Sequence, residues 1–243
     1  MRKLDVPRPF AGFTLVELAI VLVIIALLIG GMLVPLSTQR DIQNTNDTQK
    51  QLSEIKEALY GFAAANGRLP CPAATAATGI ENPLGGGVCT NSWNGFLPGI
   101  TLGVGPTDSQ GYVVDSWGNR IRYAVTTGNT RAFTTNNGVK NAWGSVLNPD
   151  IHVCSTSVGM TSSACAAGTD LTTSAAAIIF STGKNGATVP TGADELANSG
   201  VNLTFVSHAQ APVGAPQGEF DDIAAWISPN ILYNRMISAG KLP

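Results

Sequence analysis

The sequence predicts an α+β protein in which one long N-terminal helix packs on an antiparallel β-sheet domain that ends in a short C-terminal helix. Three observations carry this. An apolar run fills residues 13–36, an apolar stripe at helical spacing follows it, and beyond Pro70 short β-rich runs alternate with turn clusters. Composition agrees with a folded, weakly charged chain: of 243 residues, 44% are hydrophobic and only 12% charged. That excludes a highly charged disordered protein. With 14 Lys+Arg against 16 Asp+Glu and a net charge of −2, no strong positive field exists, so nucleic acid is disfavoured as a partner.

The first element is the apolar run. From Phe13 to Leu36 its polar side chains are Thr14 and Glu17. At about 1.5 Å per residue it reaches roughly 36 Å as a helix, enough to cross a hydrocarbon core of about 30 Å. Arg2, Lys3 and Arg8 precede it, and the first basic residue after it is Arg40. This bias keeps the N-terminus cytoplasmic and exports the remainder. The small residues Ala11 and Gly12 stand before the run, not after it as at a secretory cleavage site. Cleavage there would leave the apolar helix on the mature chain. An acid within such a helix is a functional candidate by default, and Glu17 is that acid. It either snorkels to the head groups or meets a cation from a second subunit, for which a new amine at Phe13 would serve.

The run GFTLVELAIVLVIIALLIGG resembles the N-terminal segment of type IV prepilins and of the pseudopilins of type II secretion. The resemblance implies a type IV pilin-like fold. It also implies that a prepilin peptidase/N-methyltransferase cuts after Gly12 and methylates Phe13, and that Glu17 neutralises the amine of a neighbouring subunit during assembly. Pro35 falls where the family commonly bends its helix.

The second element continues the first. Leu52, Ile55, Leu59 and Phe62 form one stripe at spacings of a helical turn, with Lys50 and Glu54 on the polar flank. Asn66-Gly67 suits a helix end and Pro70 prevents continuation. One helix is therefore expected from Phe13 to about Ala65. The organisation that follows is a leader over 1–12, a membrane-spanning and filament-core helix over 13–36, an amphipathic continuation over 37–66, and a globular β-rich domain over 67–243.

Within that domain, residues 111–125 read as a hairpin around the turn Asp115-Ser116-Trp117-Gly118-Asn119, and residues 175–181 and 201–207 read as strands. Ser228 as N-cap, Pro229 at the first helical position and Gly240 as a stop predict a helix over about 229–238. The DSWGN turn, FSTGKNG and GEFDDIAAW are similar to elements of major pseudopilins. In that group these loops hold a structural calcium ion, which implies a possible calcium site here at Asn185, Asp221 and Asp222. Two departures stand out: Asn185 occupies a position where the family has Asp, and residues 187–218 form a long insertion between the two elements.

Cys71, Cys89, Cys154 and Cys165 contain no C-x-x-C, and export to an oxidising space favours disulfides. Three pairings are open, and the shortest loops favour Cys71–Cys89 with Cys154–Cys165. His152 and His208 are too few for a histidine-based metal site. No nucleophile elbow, phosphate loop or zinc-protease motif is present. Ser181 and Lys184 match S-x-x-K without its companion boxes.

The expected function is that of a structural subunit, not an enzyme, with no required cofactor. Its expected partners are other pilin or pseudopilin subunits, the prepilin peptidase and an inner-membrane assembly platform. It would begin as a single-pass inner-membrane protein with a periplasmic C-terminal domain and end in a filament. The alternatives are a membrane-tethered periplasmic domain that binds a ligand or catalyses a reaction, and a filament adhesin.

Overall fold

The computed structural model describes residues 12–74, 78–145 and 147–243, with the side chains of residues 30–37 outside the described set. The leader, apart from Gly12, therefore lies outside the described residues. The chain divides into two compact units, Met1–Gln43 and Asn44–Pro243.

Helix α1 runs over Leu15–Asn66, and its backbone stays helical through position 35. In the first unit its described side chains are apolar and exposed from Leu15 to Ile29, apart from Glu17. Among the described residues no helix is long and apolar enough to cross a membrane; the predicted span extends into residues 30–37. In the second unit the stripe is buried at Leu52, Ile55 and Leu59. Phe62 is only half-buried, with the Arg68 guanidinium 5.2 Å from its ring centroid, and Tyr60 and Ala63 complete the buried face instead. Gly67 closes the helix in the left-handed region at φ 70°, its N–H donating to the Ala63 carbonyl at 2.8 Å.

Among the described residues, seven strands form two sheets. In the first, β1 (Gly95–Phe96), β2 (Arg122–Val125), β5 (Ala177–Ser181) and β7 (Ile223–Ile227) lie in the order β1-β2-β5-β7, all antiparallel. The second has β3 (Ile151–Cys154) between β4 (Asp170–Ala175) and β6 (Thr204–Val206). Strand β3 pairs antiparallel with β4 and parallel with β6. The sheets are thus antiparallel as expected, except for the β3–β6 pair at one edge. Short helical segments α2 (Gly99–Leu102), α3 (Gly128–Arg131), α4 (Gly138–Asn141) and α5 (Ala193–Asn198) punctuate the loops, and α6 (Pro229–Ser238) ends the fold.

Strand β5 explains the layering. Every residue of it is buried, as its unbroken apolar run suggests for a strand covered on both faces. Ala177 and Ile179 join a core with Leu52, Ile55 and Leu59 of α1, Tyr123 and Val125 of β2, and Leu232 and Met236 of α6. Ile178 and Phe180 point to the other side and meet Ile151, Val153 and Phe205 of the second sheet. The predicted hairpin over 111–125 is reduced to a bridge between Val114 and Arg120 ahead of β2. Its turn is held by Asp115, whose Oδ1 accepts the N–H groups of Trp117 at 2.9 Å and Asn119 at 2.8 Å. Ser228 sits at the N-cap of α6 with extended backbone but makes no side-chain cap bond there.

Both favoured disulfides are present: Cys71–Cys89, 18 residues apart in sequence, and Cys154–Cys165, 11 apart. No cysteine is free.

Candidate functional sites

The N-terminal site is built from one helical turn. Glu17 Oε2 accepts hydrogen bonds from both the N–H and the hydroxyl of Thr14, each at 2.8 Å, while the Glu17 N–H donates back to Thr14 Oγ1 at 3.2 Å. This is a reciprocal capping box that starts α1 immediately after Phe13. The sequence signal for this cap is T-x-x-E at Thr14 and Glu17 ahead of an apolar run. Both bonds fall on one carboxylate oxygen, and a carboxylate accepts up to about four, so capacity remains for a cation. Phe13 is 87% exposed, and a side chain at Gly12 would meet nothing within 4 Å. Among the described residues, nothing covers Gly12 or Phe13.

The second site lies where the turn after β5, the short helix α5 and the entry to β7 meet. The predicted residues Asn185, Asp221 and Asp222 do come together, and Glu195 joins them. Carboxylate oxygens of Glu195, Asp221 and Asp222 all lie within 4.8 Å of one another. The backbone N–H groups of Lys184 and Asn185 donate to Asp221 Oδ2 at 2.9 and 3.1 Å. Asp221 Oδ1 is buried without a hydrogen-bond partner. Gly183 makes this approach possible: at φ 60°, a Cβ there would stand 2.1 Å from Asp221 Oδ1. Asn198 Nδ2 donates to Asp222 Oδ2 at 2.7 Å, and Asn185 Nδ2 donates to both Glu195 oxygens at 3.1 and 3.0 Å.

Asp221 and Asp222 resist ionisation. Burial, reinforced by the charges of Glu195 and Glu219, pushes the Asp221 carboxyl up to about 6. Burial, with Glu195 and Asp221 as neighbours, pushes Asp222 up to about 7. A cavity of about 160 Å³ opens beside the cluster, lined by Asn185, Glu195, Asn198 and Asp222, with Arg122 and Phe180 also on its wall. Calcium takes 6–8 hard oxygens at about 2.3–2.6 Å, so two oxygens on one ion stand no more than roughly 5.2 Å apart. The donor set, the orphaned Asp221 oxygen and the spacing all fit such a cation. No sequence signal marked Glu195, which lies inside the insertion.

Other sequence candidates have internal roles. Ser181 is fully buried, and its hydroxyl donates to Asp115 Oδ2 at 2.5 Å. His152 and Asp170 cluster with Cys165, but that sulfur is committed to Cys154. His208 Nε2 lies 3.0 Å from Asp194 Oδ2, with its ring stacked on Phe220 at 3.8 Å.

Comparison with known proteins adds one finding. Residues 7–33 match the family described as the prokaryotic N-terminal methylation motif. That motif is the prepilin signal of type IV pilins and pseudopilins, and here it spans the Gly12–Phe13 junction and Glu17. No curated protein and no solved structure matches the chain.

Proposed function

We propose that this chain, bearing a prepilin-type signal, is a structural subunit of a type IV pilus-like filament or a type II secretion pseudopilus. The observation that carries the reading is the match over residues 7–33, because it joins a cleavage junction, a methylation site and an acid in one segment. The exposed apolar side chains from Leu15 to Ile29 support it. A helix that is apolar all round needs lipid or other helices as its surroundings.

The chemistry follows from those residues. Before processing, the apolar segment rests in the inner membrane with the β-rich domain in the periplasm. Hydrolysis after Gly12 frees the α-amine of Phe13, and N-methylation keeps it cationic. Glu17 of a neighbouring subunit meets that amine as helices leave the bilayer and bundle, so a charge poorly tolerated in hydrocarbon becomes a register-setting contact. The capping box holds the Glu17 carboxylate at the first turn, near the end where the new amine appears.

The same reading gives the domain a structural calcium ion held by Asp221 and Asp222 beside Asn185. When bound, calcium supplies the positive charge that gathers these oxygens. The chain's own groups fix their direction through the Lys184 and Asn185 amides and the Asn198 side chain.

Mass spectrometry of the mature N-terminus tests the main reading. N-methyl-Phe13 as the first residue is the expected result. An intact Met1 in cells with an active prepilin peptidase overturns it.

A further inference from the structure

We propose that the cavity beside β5 binds a small zwitterion of the α-amino acid class, with Arg122 receiving its carboxylate and Glu195 its ammonium group. Arg122 carries the inference: the fold encloses this arginine and leaves it without a counterion, whether or not calcium occupies the neighbouring loops.

Strand register builds the site. Arg122 on β2 stands directly across from Phe180 on β5, and Phe180 stands across from Ala224 on β7. Asp222 precedes Ala224 by two residues and therefore shares its face of the sheet. At about 4.8 Å between neighbouring strands, β2 and β7 lie roughly 10 Å apart, with Phe180 on the strand between them. The cavity of about 160 Å³ opens on this row, and α5 supplies Glu195, Asn198 and Ser199 to its wall.

Arg122 lacks the partner that an enclosed arginine needs. Other arginines of the domain have theirs: Arg120 pairs with Asp108 and Arg68 with Glu81, each at 2.7 Å. Among the described residues, Arg122 has neither a hydrogen-bond acceptor nor a carboxylate partner. Its guanidinium carbon lies 4.8 Å from the Phe96 ring centroid, a contact that commits none of the five N–H donors. Burial lowers the Arg122 pKa, with no neighbouring acid to raise it again. A cation stripped of water and given no anion costs stability that a bound anion recovers. The guanidinium fork suits a carboxylate, which it can hold through two parallel bonds.

The opposite wall selects the rest of the ligand. Glu195 is 2% exposed and lines the same cavity. Its carboxylate accepts two bonds from Asn185 Nδ2 and one from the Asp221 N–H, which leaves room for a further donor. Glu195 and Asp222 together disfavour a dianion such as phosphate and favour a positive, donor-bearing group. Opposite charges on the two sides of one cavity match a carboxylate and an ammonium on one small molecule. Phe180 and Pro190 offer its side chain an apolar surface. A bound ligand joins β2 of the first sheet to α5, which gives the 187–218 insertion a role beyond packing.

Calorimetry on the detergent-solubilised full-length chain tests this, with calcium chloride present throughout. Glycine, L-alanine and L-valine are titrated, each beside its two fragments: the carboxylate without the ammonium and the amine without the carboxylate. For L-alanine these are propionate and ethylamine. At least one amino acid is expected to bind wild type about tenfold or more tightly than either fragment. Arg122→Gln is expected to weaken that binding by about tenfold or more. Glu195→Gln is expected to abolish the advantage of the amino acid over its carboxylate fragment. Equal weakening of both would give Glu195 a structural role and overturn the ammonium assignment. Should Arg122→Gln fail to fold, Arg122→Lys keeps the charge without the fork: weakened binding supports the proposal, and wild-type affinity overturns it. No binding by any of the three amino acids at millimolar concentration also overturns it, as does a carboxylate fragment that binds wild type as tightly as its amino acid.

Discussion

Arg68 and Glu81 form a two-pronged buried ion pair, Nη1 to Oε2 and Nη2 to Oε1, both at 2.7 Å. Glu81 also accepts the backbone N–H groups of Cys71 and Gly85, each at 3.1 Å, so one carboxylate organises the loop that the Cys71–Cys89 bridge closes. This loop follows directly from the end of α1. The ion pair therefore joins the helix terminus to the domain that the helix carries.

Removing one partner leaves a buried charge without its counterion. Glu81→Gln should cost about 3 kcal/mol at neutral pH, read from denaturant unfolding. Burial raises the Glu81 pKa, but the Arg68 hydrogen bonds and charge, with the two N–H donors, lower it further, and the net shift is downward. A depressed carboxyl stabilises the fold above its unfolded pKa, and that contribution is lost as pH falls through the folded value. The gap between wild type and Glu81→Gln should accordingly narrow in acid. A gap independent of pH would show that the variant acts through packing.

Glu17 has two separable duties. Glutamine serves a capping box as well as glutamate does, so Glu17→Gln keeps the Thr14 bonds and removes only the charge. The variant should insert and be processed normally, yet enter filaments poorly in a shearing assay. Thr14→Ala disturbs the cap and leaves the charge. Normal incorporation of Glu17→Gln would eliminate the charge pair from the mechanism.

Gly183→Ala tests the packing of the acidic cluster. The new Cβ would collide with the Asp221 carboxylate, and φ 60° disfavours any side chain. A loss of about 1–3 kcal/mol is expected. Calcium should raise the melting temperature of this variant less than that of wild type, and an equal rise would mean that Asp221 is not in the site.

Breaking either disulfide should destabilise the domain by about 3 kcal/mol, since the closed loops are of similar modest length. Paired Cys154→Ser and Cys165→Ser substitutions, followed by thermal unfolding, measure this for the second sheet, where β3 carries Cys154. The assembly chemistry at Gly12 and Phe13 should be unaffected.

What the sequence by itself determined was local. The prepilin-type motif, the helix and its buried stripe, the C-terminal helix and the short disulfide loops all depend on residues a few turns apart. Spacing records such relationships directly. Helical periodicity placed Leu52, Ile55 and Leu59 on one face because 3.6 residues per turn requires it. Phe62 was the exception, displaced because the helix end turns its ring toward Arg68.

Tertiary structure alone decided the rest. The parallel pairing of β3 with β6 joins residues some fifty positions apart, and no local pattern encodes a partner at that distance. Glu195 is the same case in chemical form: an ordinary helical glutamate in sequence, it becomes part of a carboxylate cluster only when the insertion folds back over the turn after β5. Linear spacing can state what a residue offers, but the charges that face one another across a buried site are set by which distant segments the core brings into contact.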